Sequence, residues 1–434
     1  MERTKINELK EKVGKKVLVE GFIHEIRDQS KVKFILIRDN SGIIQTVTTS
    51  DKKEIFETIA KIPKESVISI EGIVKAEKQA PSGIEIQVEK YEILSKADPD
   101  LPISVVEKGE SPALPIRLDY RWIDLRKPKN ILIFKIWTFM EKAMREWWDK
   151  NDFIQIYSPK LMGTASESGA ELFSLEYFGK KAYLAQSPQF YKQMAMAAGF
   201  EKIFEIGPVF RANKSHTVRH DTEFTMIDME ISYIKSDEDI RKVEEAWINY
   251  FMSRIKEKFG EEIKSVFGVE MVVPSIPFPR ITMEEVQKIL RKKGYKGPKD
   301  DLDAEGEKMI CEIIKEKFNH DFIFVTEYPI SARPFYHMRE KGVTKSFDLI
   351  WRGTEVTTGA QREHRPEILI AQAKEKKLSP ESSGMKDYLN FFKYGCPPHG
   401  GFAISPTRFL MLMLGIKNVR EVTFLPRDTE RLNP

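Results

Sequence analysis

Five short β-rich runs crowd the first 95 residues: Val17 to Ile23, Val32 to Arg38, Ile43 to Val47, Ser66 to Val74 and Ile84 to Val88. Between the third and fourth, Ile55, Ile59 and Ile62 recur at helical spacing. Strands this short bury a face only by closing on one another, so the N-terminal part must be a small β-domain of its own. A polar, proline-dotted stretch follows, from Ala97-Asp98-Pro99 through Ser111-Pro112-Ala113-Leu114-Pro115, and it interrupts regular pairing. Beyond it, Ile131 to Lys150 has apolar residues on a helical period and includes Trp137, Trp147 and Trp148. The later β-like runs are Ala182 to Ala185, Ile203 to Phe210, Glu223 to Ile234, Phe322 to Thr326, Ser346 to Trp351 and Gly401 to Ser405. Helical stretches are expected at Glu238 to Lys258, Met283 to Arg291, Glu305 to Phe318 and Arg408 to Leu414. These strands do not alternate regularly with helices, so the expected class is α+β with an antiparallel sheet.

Five strands with a helix between the third and fourth is the element order of an OB barrel, although order alone also fits another small β-domain. The chain of 434 residues is 41% hydrophobic, too apolar for disorder and too long for one small module. Its 70 basic residues nearly cancel 66 acidic ones, leaving a net charge of +4. That balance argues against a bulk nucleic-acid coat or a polybasic membrane anchor; any nucleic-acid contact must be local. Cys311 and Cys396 lie far apart, in no ligand-spaced pattern. The start, Met-Glu-Arg-Thr-Lys-Ile-Asn-Glu, carries no signal-length apolar stretch, and no run long enough to span a membrane occurs. A cytoplasmic protein without membrane partners is expected.

Four constellations carry chemistry. Phe210-Arg211-Ala212-Asn213, a basic loop with Lys214, His216, Arg219 and His220, and Glu223-Phe224 through Asp228-Met229-Glu230 form a hairpin. Alternate residues share a strand face, so Arg211, Phe224, Asp228 and Glu230 can line one surface. An arginine fork and an aromatic plate suit a phosphate and a flat base, while surface ion pairs on a half-exposed hairpin would look the same. Gln186-Ser187-Pro188-Gln189-Phe190-Tyr191-Lys192-Gln193 sets amide and ammonium donors beside a strand end, where a lone lysine is usually solvated. Glu355-Val356-Thr357-Thr358-Gly359-Ala360-Gln361-Arg362 offers oxygen ligands of the kind Mg²⁺ uses alongside phosphates. His399-Gly400-Gly401-Phe402-Ala403-Ile404-Ser405-Pro406-Thr407-Arg408 is a small-residue strand delivering an arginine at a helix start; tight packing explains its small side chains equally well.

In this order the four resemble the class II aminoacyl-tRNA synthetases, and among them the aspartyl-tRNA synthetases of the archaeal type, over nearly the whole chain. The resemblance implies an OB-fold anticodon-binding domain at 1–100, a linker at 101–130 and a class II catalytic domain at 131–434, with an antiparallel sheet flanked by helices. It implies ATP and L-aspartate as substrates, tRNA(Asp) as acceptor, Mg²⁺ as cofactor and a homodimer. Arg211 would bind the α-phosphate, Phe224 would stack on adenine, and Arg408 would hold the γ-phosphate or the other adenine face. Asn213, Arg219, His220, Asp221 and Ser405 would complete the ATP pocket, and Glu355 and Thr358 would hold Mg²⁺. Lys192 and Arg362 would clamp the aspartate side chain, Glu167, Gln189 and Asp228 would take its ammonium, and Thr358 would border it. Arg211, Arg408 and Glu355 would carry catalysis, with no side-chain base needed, because the attacking carboxylate is already ionised.

In the barrel, Phe34 and Gln45 match the positions that stack on and hydrogen-bond the central anticodon base; without the resemblance, Phe34 reads as an ordinary core aromatic. His24 and Pro81 occupy two positions where His and Pro accompany acceptance of both tRNA(Asp) and tRNA(Asn). That pair implies a non-discriminating enzyme that also makes Asp-tRNA(Asn). Departures cluster at the nucleotide: Ala403 and Ser405 replace glycines, Thr407 an acidic residue, Asn213 a glutamate and Ala360 another glycine. Three rivals follow: a strictly discriminating enzyme, a paralogue that adenylates aspartate for a non-tRNA acceptor, and a catalytically silent tRNA-binding protein.

Overall fold

The computed structural model describes residues 1–106, 109–164, 171–214 and 217–434. The chain divides into two compact units, Met1–Ile133 and Phe134–Pro434. In the first, β1 (Lys16–Asp28), β2 (Val32–Asp39), β3 (Gly42–Thr49), β4 (Val67–Ala76) and β5 (Ile84–Ser95) close a barrel in the order β1-β2-β3-β5-β4, with α1 (Lys53–Ile59) between β3 and β4. Val17, Val19 and Ile23 alternate inward on β1 and meet Ile35, Ile37, Ile68, Ile70 and Ile86, which together make a dry aliphatic core. The β1–β2 register runs Ile23↔Ile37 and then Glu25↔Leu36, so His24 is the extra residue of a bulge.

In the second unit, an eight-stranded sheet is built from β6 (Ile154–Gln155), β7 (Lys202–Phe210), β8 (Glu223–Ser232), β9 (Arg280–Thr282), β10 (Phe322–Thr326), β11 (Ser346–Trp351), β12 (Thr354–Gln361) and β13 (His399–Ile404). Its order is β9-β10-β11-β12-β13-β8-β7-β6. The sheet is mixed rather than wholly antiparallel. The pairings β6–β7 and β9–β10 at its two edges are parallel, because helices intervene in sequence and carry the chain back over the sheet. Every pairing between them is antiparallel.

Helix α2 (Pro128–Lys150) opens with proline, whose missing N–H is no loss in a first turn. Near its end Trp148 stacks on Phe204 at 4.1 Å and on Trp247 at 5.0 Å. Helix α3 (Gln189–Ala197) precedes β7, and the long α4 (Asp237–Phe267) crosses behind the sheet. Asp239 starts α4 by accepting from the backbone N–H of Ser236, and Gly268 ends it at φ 71°. The helix outruns its expected end at Lys258 because Phe259 and Ile263 continue the buried stripe. Helix α5 (Ala304–Phe318) is capped by Asp303, and α6 (Pro406–Met413) follows β13. No helix among the described residues is long and apolar enough to cross a membrane.

Glu244 of α4 is fully buried and accepts from Thr357 Oγ1 of β12 at 2.5 Å. Burial pushes its carboxyl up to about 8, against a smaller opposing pull from that hydrogen bond. A folded value above the unfolded one means stability that is complete below about pH 4.5 and lost as pH rises through 8. Glu244→Gln keeps the acceptor and removes the charge. Its melting temperature therefore pulls ahead of the wild type's progressively between pH 5 and pH 8, by roughly 1.4 kcal/mol of stability per pH unit at most. Parallel melting curves across that range would refute the assignment.

Candidate functional site

The face of the sheet formed by β8, β12 and β13, together with α3, gathers most of the residues named from the sequence. Alternation on β8 puts Phe224, Asp228 and Glu230 on one side. The register Asp228↔Ala403 and Glu230↔Gly401 then places β13 directly beside the two carboxylates. Only glycine fits at 401, since a Cβ there would lie 1.9 Å from the Met229 carbonyl oxygen and 2.4 Å from Glu230 Oε2.

At this end Lys192 is buried, not solvated, at 1% exposure. Its Nζ lies 3.1 Å from Asp228 Oδ1 and 3.3 Å from Glu230 Oε2. Arg362 donates through Nε to Glu230 Oε1 at 3.1 Å and through Nη2 to the Gly401 carbonyl at 3.1 Å. Its Nη1 faces His337 Nε2 at 3.0 Å. Burial and the neighbouring Arg362 hold His337 well below the usual histidine range, so it is neutral and accepts that bond. Burial raises Asp228 against the pull of Lys192, whereas at Glu230 burial is outweighed by Arg362 and Lys192, which hold it low. Gln189 is buried and donates to Gln193 at 2.9 Å. The two cations are thus already matched by two carboxylates. Glu167 lies outside the described residues.

At the other end Arg211, just past β7, sits 5.7 Å from the Phe224 ring centroid. They line a cavity of about 80 Å³ with Asn213, Arg219, His220, Asp221, Ser405 and Arg408. Burial and the neighbouring arginines, Arg408 foremost, depress His220 to about 4, while burial raises Asp221 to about 6. Ser405 caps α6 by accepting from the Arg408 N–H at 3.3 Å, and its hydroxyl meets that of Thr407 at 3.0 Å. The departures from the family pattern at 405 and 407 therefore still deliver Arg408 at the helix start. Arg408 Nη1 lies 3.8 Å from Glu355 Oε1, and Thr358 donates to the same oxygen at 3.2 Å.

Two residues that sequence reasoning passed over sit here. Asp348 of β11 is directly opposite Thr358 of β12. Its Oδ2 accepts from Arg333 at 2.6 Å, while its buried Oδ1 has no hydrogen-bond partner among the described residues. Glu307 of α5 pairs with Arg219 at 2.5 Å. Burial pushes Glu307 up to about 7 and raises Glu355 too, in the latter case helped by Asp348 and opposed by Arg408. Among the described residues no three His, Cys, Asp or Glu side chains form a cage for a metal. Two carboxylates and a hydroxyl, one with an orphaned buried oxygen, instead fit a hard cation that keeps waters and completes its shell with phosphate oxygens. The periodicity of β11 carried no sign of Asp348; only its cross-strand register reveals it.

In the barrel, Phe34 and Gln45 line a groove of about 540 Å³, and Gln45 Nε2 donates to Glu85 at 2.9 Å. Phe34 is therefore a groove residue rather than a core aromatic. His24 faces a different cavity, with its Nδ1 2.8 Å from Arg38 Nη1, and Pro81 is exposed in the turn between β4 and β5.

Comparison with known proteins bears on the same residues. The family model described as tRNA synthetases class II (D, K and N) matches residues 113–429, and one described as an OB-fold nucleic acid binding domain matches 17–94. The chain is 43% identical over 428 residues to the aspartate–tRNA(Asp/Asn) ligase of Methanopyrus kandleri, covering 98% of this chain and 97% of that one. It is 45% identical to the aspartate–tRNA(Asp) ligase of Pyrococcus abyssi, over 97% of each. Among solved structures, the aspartyl-tRNA synthetase of Entamoeba histolytica superposes with a TM-score of 0.88 at 32% identity, over 100% of this chain and 93% of that one. The asparaginyl-tRNA synthetase of Pyrococcus horikoshii, complexed with asparaginyl-adenylate, does so with 0.89 at 33%, over 100% of both. The fold is thus shared across amino-acid specificities, and full-length sequence identity decides the branch: this chain belongs to the class II aminoacyl-tRNA synthetases, among the archaeal aspartate–tRNA ligases.

Proposed function

We propose that this enzyme activates L-aspartate with ATP and transfers it to both tRNA(Asp) and tRNA(Asn). The observation that carries the aspartate half is the buried pair Lys192 and Arg362 around Glu230. In this reading the substrate exchanges partners with the protein. Its ammonium draws on Asp228 and Gln189, with Glu167 also expected, and its side-chain carboxylate takes Lys192 and Arg362 while Thr358 borders it. A carboxamide cannot complete that exchange, so selection is by charge rather than by size.

Arg211 and Phe224 hold the α-phosphate and adenine, with Asn213, His220, Asp221 and Ser405 around them. The α-carboxylate oxygen attacks the α-phosphorus in line, the bond to the bridging oxygen breaks, and pyrophosphate leaves. Arg211 and Arg408 neutralise the charge that develops, from positions already fixed by protein hydrogen bonds. Glu355, Thr358 and Asp348 would hold Mg²⁺, which when bound supplies Lewis-acid charge neutralisation at the phosphates. The terminal ribose hydroxyl of tRNA then attacks the acyl carbon and AMP leaves.

Residues 1–100 serve as the anticodon-binding domain, 101–130 as linker and 131–434 as catalytic domain. Phe34 stacks on the central anticodon base and Gln45 hydrogen-bonds it. His24 and Pro81 carry the tRNA(Asn) half, since in the aspartyl-tRNA synthetases His and Pro at these positions accompany acceptance of both tRNAs. The enzyme works in the cytoplasm as a homodimer. Charging assays with each purified tRNA test this: both accept aspartate at comparable rates, and a blank with tRNA(Asn) alone would make the enzyme discriminating. Pyrophosphate exchange without charging of either tRNA would point to the paralogue, and tRNA binding without exchange to the silent protein.

A further inference from the structure

Glu307 belongs to none of the sequence motifs, yet it closes a ring of hydrogen bonds at the phosphate end of the site. Its Oε2 accepts from Arg219 Nη1 at 2.5 Å and from the backbone N–H of Glu355 at 3.3 Å. The Arg219 carbonyl accepts from Arg408 Nε at 3.3 Å, and Arg408 Nη1 donates to the Glu355 carbonyl at 3.4 Å. The circuit therefore runs from Glu307 to Arg219, Arg408 and Glu355 and back to Glu307. It ties the loop between β7 and β8, the start of α6 and the edge of β12 to one carboxylate.

That carboxylate is itself fixed. It is buried at 6% exposure in the first turn of α5, where Asp303 accepts from the Gly306 N–H at 2.9 Å. An acidic side chain suits a helix N-terminus, and here the helix aims it into the cavity wall. A free arginine samples many rotamers, but one whose guanidinium is anchored has lost that freedom before a ligand arrives. Arg219 lines the cavity with Arg211 and Arg408.

We infer that Glu307 is a positioning residue for aspartate activation: it holds Arg219, and through it Arg408, over the β- and γ-phosphates of ATP. The inference rests on the ATP reading above and adds to it a residue that touches no substrate atom. AMP, which ends at the α-phosphate, lies beyond its reach.

The test compares ATP and AMP binding by calorimetry, in the presence of Mg²⁺, for the full-length wild type, Glu307→Ala and Glu307→Gln. Losing one charge-assisted hydrogen bond predicts an ATP affinity lower by about tenfold in the alanine variant and by less in the glutamine variant. AMP affinity is unchanged in both, and the KM for ATP rises and kcat falls with the displaced Arg408, while the KM for aspartate stays near wild type. If the alanine variant does not fold, the isosteric glutamine variant carries the comparison. Equal loss of ATP and AMP binding would make Glu307 merely structural. Wild-type or tighter ATP binding in the variants would mean that its charge only repels phosphate; either result overturns the inference. A wild type that binds ATP but shows no aspartate-dependent exchange would instead overturn the proposed function and leave the ATP and AMP comparison readable, whereas one that binds no ATP would defeat both.

Discussion

Lys192→Met lowers aspartate-dependent exchange of pyrophosphate into ATP by roughly 1,000-fold, the scale of about 4 kcal/mol expected when the buried side-chain carboxylate of the substrate loses one of its two cations. Methionine matches the length of the lysine stem, so the cavity stays filled. Glu230 keeps Arg362 at 3.1 Å. Asp228, already raised by burial, takes up a proton instead of staying as an unpaired charge. The variant should therefore fold, melt near the wild type and bind ATP normally, so that lost exchange reports on aspartate alone. Near-normal exchange in a folded Lys192→Met protein would remove the aspartate pocket from this site.

Arg211→Ala has the second large effect. A fixed cation at a developing phosphate charge is worth roughly 10²–10³-fold in kcat, and that is the expected loss, with the KM for aspartate nearly unchanged. ATP binding weakens as well, because the guanidinium also covers Phe224 at 5.7 Å. Arg211→Lys restores little, since an ammonium lacks the planar fork that meets two phosphate oxygens. If kcat survives the alanine substitution, Arg211 does not contact the α-phosphate.

The barrel was legible because its signal is local: period-2 alternation of Val17, Val19 and Ile23, and a helix of known place. The hairpin face of Phe224, Asp228 and Glu230 was legible for the same reason. Burial was not. Lys192 reads as a solvated lysine until β8 and Arg362 close around it, and that closure depends on contacts between residues far apart in sequence. Asp348 and Glu307 were invisible for a related reason. One sits in an apolar strand and the other in an amphipathic helix, and only strand register and helix docking turn them toward Thr358 and Arg219. The parallel edge pairings escaped likewise, because strands of two or three residues leave almost no periodicity to read.

The close passage of β13 past Glu230, which admits no side chain at Gly401, has a consequence for how such a pocket can change. Glu230 anchors both Lys192 and Arg362, so the three charges share a single hinge of tolerance at one backbone position. A mutation that shifts Glu230 loosens both cations together and removes specificity and affinity in one step. Gradual drift toward another amino acid is thus barred at this point of the site: a chain that changes its substrate must alter the charges themselves and keep the glycine.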